Sequence, residues 1–309
     1  MILKQLSLIG VPTNSAGKKN GVAGAPAALR RAGLRDALGR FCAIHDEGDV
    51  SFSTPITERD VSSGIIACES LASMIQSVRV GVSRALSEGR FPLVVGGDCP
   101  VLLGCLAAAS VRNSSIGLLF VDGHEDAYPA RQSPTGEAAD MELGFALGFG
   151  VPDLIREVMG QMPLIDPSRV CMLGPRDIRI LQKTNIRTLE DAGVEYYYDD
   201  AALRKGNIRT LTRRMTRKLA AKAEGLWLHV DLDVLSTRSL QAVDYRQPGG
   251  LSWGQLEELT RSALSSCEVI GMDVTIYNPD LDPGRHFAQR IIRYLQVALV
   301  SMRSSQTVP

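Results

Sequence analysis

Short segments that are apolar throughout alternate along the chain with longer segments in which apolar residues recur every three or four positions. We predict strands at residues 6–10, 92–95, 116–122, 169–173, 226–233 and 268–274. We predict helices over 24–38, 65–87, 101–110 and 285–302. Strands without a polar face are typical of a parallel sheet that is covered by helices on both sides. The pattern therefore predicts an α/β fold, with residues 1–309 forming a single domain because no linker or repeat divides them.

Composition and charge indicate a globular protein without a nucleic-acid or membrane partner. The chain has 309 residues, 45% of them hydrophobic, and a formal net charge of zero, which gives no reason to expect nucleic acid or a membrane surface as partner. No apolar run reaches the ~18 residues of a membrane span, and the opening segment predicts a strand rather than a signal peptide. Six scattered cysteines without a C-x-x-C pair favour reduced thiols and a cytoplasmic location.

Ligand-type side chains follow two of the predicted strands. Asp122, His124 and Asp126 alternate after one apolar run, and Asp231 and Asp233 alternate after another. In extended backbone, alternate side chains share a face. Ligands of an open parallel sheet bind beyond the carboxyl ends of its strands. We therefore expect these five side chains to converge at one edge of the sheet.

The expected cluster needs a positive partner, because close aspartates do not stay ionised together without one. Neither strand end supplies an arginine or a lysine. A D-x-D pair alone is a weak signal, since many surface turns carry one, but two such clusters after buried strands favour a metal site. Mixed carboxylate and imidazole ligands suit Mn²⁺, Fe²⁺ or Zn²⁺.

Three segments resemble signatures of the arginase–agmatinase (ureohydrolase) family. They are VVGGDCPVLLG at 94–104, LLFVDGHEDAY at 118–128 and HVDLDVLSTRSLQAVDYRQPGGLS at 229–252. The resemblance covers most of the chain. It implies one three-layer α/β/α domain with an eight-stranded parallel sheet, assembled as a homo-oligomer of three or six chains. It also implies hydrolysis of a guanidino C–N bond in a small molecule by a hydroxide held between two Mn²⁺ ions.

The resemblance also implies a ligand set. The residues of the first ion would be Cys99, Asp122, Asp126 and Asp231, and those of the second would be Asp122, His124, Asp231 and Asp233. Asp122 and Asp231 would bridge the ions, and Asp126 would orient the hydroxide.

Cys99 departs from the family pattern, which has histidine at this position. A thiolate is softer than an imidazole and suits Zn²⁺ or Fe²⁺ better than Mn²⁺. Cys99 is either a ligand or a spectator thiol, and in the second case the protein would work with one ion. A cysteine here is also similar to an arginase-like branch that hydrolyses Nω-hydroxy-L-arginine.

The residues expected to contact substrate differ even more from the family pattern. Ile276 stands where the family has the glutamate that binds the guanidinium, and an isoleucine cannot pair with a cation. Ala139 replaces an active-site histidine, and Arg179 replaces an aspartate that binds the substrate amino group. An arginine at 179 would repel an ammonium and favour a carboxylate. Tyr128, which follows the second signature, completes the predicted substrate-binding set with Arg179 and Ile276.

His229 is an addition to the pattern, two residues before Asp231. It is a candidate catalytic residue as a partner of a carboxylate, as a ligand or as a proton shuttle, although a strand histidine satisfied by backbone is the plainer alternative. Glu125, Glu137 and Glu142 are candidate general acids that the sequence does not rank.

These observations predict a metal-dependent hydrolase of a C–N bond in a linear guanidino or amidino compound other than plain L-arginine. The alternatives are an amide hydrolase with one metal, an Nω-hydroxyarginine hydrolase, and a non-catalytic relative that keeps the fold.

Overall fold

A computed structural model describes residues 5–54, 56–184, 186–266 and 269–302. Eight strands form one sheet in this part of the chain, and every neighbouring pair is parallel. The strands are β1 (Gln5–Val11), β2 (Ala43–Asp49), β3 (Phe91–Gly96), β4 (Ile116–Val121), β5 (Val170–Leu173), β6 (Tyr196–Tyr198), β7 (Gly225–Asp231) and β8 (Val269–Thr275). Their order across the sheet is β2-β1-β3-β8-β7-β4-β5-β6.

Helices connect the strands. They are α1 (Ala25–Arg31), α2 (Leu34–Gly39), α3 (Cys68–Ser87), α4 (Val101–Arg112), α5 (Glu142–Ala146), α6 (Asp153–Met159), α7 (Ile178–Lys183), α8 (Asp200–Lys205), α9 (Ile208–Ala220), α10 (Trp253–Ser266) and α11 (His286–Ser301). Within the described ranges, no helix has the length and apolar character that crossing a bilayer requires.

Two hydrophobic cores lie on opposite faces of the sheet. Leu118 and Phe120 of β4 enter the core that α3 and α4 cover, whereas Leu119 and Val121 enter the core that α9, α10 and α11 cover. Alternate residues of a strand point to opposite faces, so a strand between two helical layers must be apolar at every position. This arrangement confirms the predicted three-layer α/β/α fold with an eight-stranded parallel sheet.

The pattern of apolar and polar residues did not predict the two edge strands. β2 is half-buried or exposed along its length, and β6 has three residues. The helix predicted over 24–38 is two helices, because Gly33 adopts a left-handed φ of 94° between α1 and α2. The helix predicted from residue 65 begins at Cys68. Cys267 and the start of the last predicted strand, Glu268, lie outside the described residues, as does the opening segment 1–4.

The order of the strands places four chain segments side by side. β3, β8, β7 and β4 are consecutive neighbours in the middle of the sheet. Their carboxyl ends, at Gly96, Thr275, Asp231 and Val121, therefore meet at one edge although they are far apart in sequence. This edge is where a parallel sheet binds ligands.

Candidate metal centre

A two-glycine turn delivers Cys99 to the centre of this edge. β3 ends at Gly96, and a Cβ on Gly97 would collide with the carbonyl oxygen of Thr13, so the turn requires glycine there. The carboxylate of Asp98 accepts hydrogen bonds from the backbone of Ser15 at 2.6 Å and of Cys99 at 3.1 Å. Burial raises the pKa of Asp98 to about 6.

Cys99 is 1% exposed and faces two neighbouring strands. Its Sγ donates to Oδ2 of Asp231 at 2.9 Å and lies 3.1 Å from Oγ1 of Thr275. Burial and the carboxylate of Asp231 raise the pKa of the thiol well above its usual value. A cation is therefore needed to hold Cys99 as a thiolate.

The chain turns immediately after β4. The strand ends at Val121, and Asp122 and His124 lie in the turn, where Asp122 Oδ1 accepts from the backbone N–H of His124 at 2.8 Å. Asp126 has a left-handed φ of 45°, which is uncommon for a residue with a side chain. The prediction that extended alternation aims these three side chains is wrong, because the backbone is not extended beyond Val121.

A second turn follows β7. Asp231 is the last residue of the strand, and its Oδ1 accepts from the backbone N–H of Asp233 at 2.5 Å. Asp233 lies in a short 3-10 helix, Leu232–Val234. The extended alternation predicted for this pair is also wrong, since the capping hydrogen bond curls the backbone.

The two turns nevertheless bring the ligand-type side chains together. His124 Nδ1 lies 3.0 Å from Oδ2 of Asp233 and 3.7 Å from Oδ1 of Asp122. Gln247 contacts Nε2 of the same imidazole. Although burial raises the pKa of Asp122, the nearby imidazoles of His124 and His229 lower it more, so the net shift is downward.

His229 is fully buried behind this group. Its Nδ1 lies 2.5 Å from Oδ2 of Asp273, and its Nε2 lies 3.7 Å from Oδ2 of Asp122. The ring stacks on Phe120 of the neighbouring strand with a centroid distance of 4.6 Å. Its role as partner, ligand or shuttle stays a prediction.

Negative charge accumulates at this edge. Burial and the repulsion of neighbouring carboxylates raise the pKa values of Asp126 and Asp231 well above the usual range of an aspartate. Such a site is stabilised by a cation, and the chemistry of the side chains fits a divalent metal. Among the described residues, two groups have their ligand atoms within 4.8 Å of one another, namely Cys99, Asp122, Glu142 and His229, and Asp122, His124 and Asp233. Asp122 belongs to both groups.

The predicted substrate residues differ in burial. Ile276 is 6% exposed with a left-handed φ of 71° and lines a cavity of about 360 Å³ beside Asp98 and Glu137. Tyr128 is half-buried, and Arg179 is exposed on α7. Their contacts with substrate stay predictions.

Four further residues support the centre in ways that the sequence patterns did not predict. Arg176 donates to the carbonyl oxygens of Asp233 at 2.7 Å and Val234 at 3.0 Å and so fixes the second turn. Asp273 supports His229, and Trp227 Nε1 donates to Asp273 at 2.5 Å. Glu142 joins the first ligand group. In the sequence, only the presence of a charged residue within an otherwise apolar strand, as at Asp273, could have indicated such a role.

Comparison with known proteins identifies the family. A family model described as the arginase family matches residues 4–298. The chain belongs to the arginase family. Members of this family are metal-dependent hydrolases of non-peptide C–N bonds in linear amidines, and the family typically uses two Mn²⁺ ions.

Curated arginases are similar over nearly the whole chain. The arginase of Bacillus caldovelox is 29% identical over 283 residues, which cover 91% of this chain and 93% of that protein. An arginase of Staphylococcus aureus strain MRSA252 is 26% identical over 292 residues, covering 94% and 95%. The crystal structure of Bacillus caldovelox arginase at pH 5.6 superposes with a TM-score of 0.83 at 25% identity and covers 99% of this chain and 100% of that one. The resemblance seen in the sequence and the predicted enzyme class are thereby confirmed.

Proposed function

We propose that this arginase-family protein hydrolyses a C–N bond in a guanidino or amidino compound other than L-arginine, with divalent metal at the edge of β3, β8, β7 and β4. The observation that carries the proposal is the position of Asp122, whose carboxylate belongs to both groups of ligand-type atoms. A carboxylate shared in this way suits two ions side by side. When bound, divalent ions supply activation of a water nucleophile at neutral pH.

Hydrogen bonds within the chain position the ligand-type carboxylates. The backbone N–H groups of Gly123 and Asp233 donate to the carboxylates of Asp233 and Asp231, at 3.1 and 2.5 Å, and hold them against one another. Arg176 fixes the backbone of the second turn from outside. These hydrogen bonds, which are buried or partly buried, would hold the carboxylates in place before substrate arrives.

The surroundings of Ile276 support a substrate that differs from L-arginine. Ile276 offers no carboxylate to a guanidinium, so a charge-assisted contact is missing there. The cavity that it lines instead presents carboxylates from Asp98, Glu137, Asp244 and Asp280 and the ammonium group of Lys18. This excess of carboxylates suits a cationic amidine, and Lys18 suits an acidic or neutral group elsewhere in the same small compound.

A substrate screen tests the proposal. The full-length protein, loaded separately with Mn²⁺, Zn²⁺ and Fe²⁺, is incubated with L-arginine, guanidino acids, guanidino amines, amidino acids and acylamino acids, and urea, ammonia or acid release is measured. We expect a guanidino or amidino compound to give a higher kcat/KM than L-arginine, and the Asp122→Asn variant to give none. Preference for L-arginine, preference for an acylamino acid, or lack of any turnover would each contradict the proposal.

A further inference from the structure

Glu142 and His229 converge on Cys99 although neither belongs to the ligand set that the resemblance implied. The ligand-type atoms of Cys99, Asp122, Glu142 and His229 all lie within 4.8 Å of one another. Their side chains come from four separate segments, and each residue is at most 1% exposed. Solvent therefore does not satisfy them.

Several of these buried atoms have no hydrogen-bond partner among the described residues. They are Oδ2 of Asp122, both carboxylate oxygens of Glu142 and Nε2 of His229. Each unpaired buried polar group costs about 1–3 kcal/mol. A cation bound among these three side chains would satisfy all of the unpaired atoms together, because carboxylates beside an imidazole bind cations.

The orientation of His229 supports a cation site among these four side chains. Its Nδ1 is taken by Asp273 at 2.5 Å, and its ring is held against Phe120. Because a carboxylate only accepts, Nδ1 carries a proton, and Nε2 lies on the side of the ring that faces Asp122, where it would offer its lone pair to a bound cation. An imidazole fixed by a carboxylate at one nitrogen is the arrangement in which histidine binds metals.

Glu142 is positioned from the neighbouring segment. It is the first residue of α5, and the next two backbone N–H groups, of Leu143 and Gly144, donate to the carbonyl oxygen of Asp126 at 3.0 and 3.1 Å. These bonds fix the start of α5 against the turn after β4, and so they hold Glu142 beside the centre.

We propose that Cys99, Asp122, Glu142 and His229 hold one metal ion, in place of the set of Cys99, Asp122, Asp126 and Asp231. This assignment rests on the metal-dependent function proposed above. On binding, the thiol proton that Cys99 now donates to Asp231 is released to solvent. A set of one thiolate, one imidazole and two carboxylates is suited to Zn²⁺ or Fe²⁺ more than to Mn²⁺. The second ion would share Asp122 and use His124 and Asp233.

Cobalt substitution tests the thiolate. The full-length protein is loaded with Co²⁺, and the near-ultraviolet absorption from thiolate-to-cobalt charge transfer is recorded. We expect the band in the wild type and in Cys105→Ser, which removes an equally buried thiol on α4, and we expect Cys99→Ser to lose it. A wild type without the band, or a band that survives in Cys99→Ser, would overturn the assignment.

Two further variants separate the competing ligand sets. We expect Glu142→Gln and His229→Gln to weaken Co²⁺ binding at the thiolate site by at least about tenfold, as even indirect changes at metal sites do. Asp126→Asn should weaken it less than Glu142→Gln. The opposite ranking, with Asp126→Asn and Asp231→Asn losing the ion and Glu142→Gln keeping it, would support the set implied by the resemblance.

Folding and activity are measured beside the spectra. Circular dichroism shows whether each variant folds. If Glu142→Gln does not fold, it is replaced by Glu142→Asp, which retracts the carboxylate by one methylene. Weakened binding by Glu142→Asp supports the assignment, and wild-type binding contradicts it. A thiolate band without turnover of any guanidino compound would reject only the proposed function, whereas turnover without the band would reject only the ligand set.

Discussion

His229 donates from Nδ1 to the carboxylate of Asp273 at 2.5 Å, and both side chains are fully buried. The other oxygen of Asp273 accepts from Nε1 of Trp227, also at 2.5 Å. Asp273 therefore accepts hydrogen bonds from two donors at once. Among side chains of this size, only a carboxylate can accept both hydrogen bonds.

Replacing Asp273 by asparagine should weaken metal binding. The amide offers one acceptor and one donor group, so either His229 or Trp227 would face an N–H, at a cost of about 1–3 kcal/mol in the free energy of unfolding. We expect metal affinity to fall about 10- to 100-fold, as measured by titration with Co²⁺. The control is Trp227→Phe, which should lower stability while leaving metal affinity near that of the wild type. Equal losses in both variants would show that Asp273 acts through packing alone.

Cys99→His should shift the metal preference toward manganese. An imidazole replaces a thiolate, which removes the softest ligand from the centre and restores the family pattern. We expect Mn²⁺ occupancy, measured by elemental analysis after dialysis, to rise toward two ions per chain. The larger ring enters a packed site, so a loss of about 1–3 kcal/mol in stability should accompany the change. Unchanged occupancy would mean that position 99 does not govern the first ion.

Ile276→Glu should raise activity toward L-arginine. A carboxylate at this position would bind a guanidinium through charge-assisted hydrogen bonds worth about 1.5–3 kcal/mol, which corresponds to a rise in kcat/KM of roughly 10- to 100-fold. Ile276→Gln has the same length without the charge and should give no comparable rise. A similar gain in both variants would trace the effect to shape rather than to charge.

Removal of metal should lower the melting temperature. Buried carboxylates repel one another without a cation, and a ligand that binds only the folded state at 100 times its Kd adds about 2.7 kcal/mol of stability. We expect the chelated protein to melt at a lower temperature and to recover when Zn²⁺ or Mn²⁺ is added in excess. Asp122→Asn, which removes the shared carboxylate, should show a much smaller response, and an equal response would place the stabilising ion elsewhere.

The interior of the sheet could be predicted because its strands are buried on both faces. The apolar runs before Asp122 and Asp231 fix both the strands and the points where they end. The edge strands Ala43–Asp49 and Tyr196–Tyr198 escaped prediction because they face solvent or are very short, so burial leaves no continuous apolar run. Gly33 divided a helix that periodicity alone would continue.

The sequence by itself determined the family and named Cys99, Asp122, His124 and Asp233 as candidate ligands. Signatures of this kind are local, so consecutive residues are enough to reveal them. Only the tertiary structure decided that Glu142 and His229 face Cys99 across the centre. Which side chains meet there depends on the order β3-β8-β7-β4 and on two turns whose backbone is not extended. That arrangement arises from long-range packing, which no local pattern records.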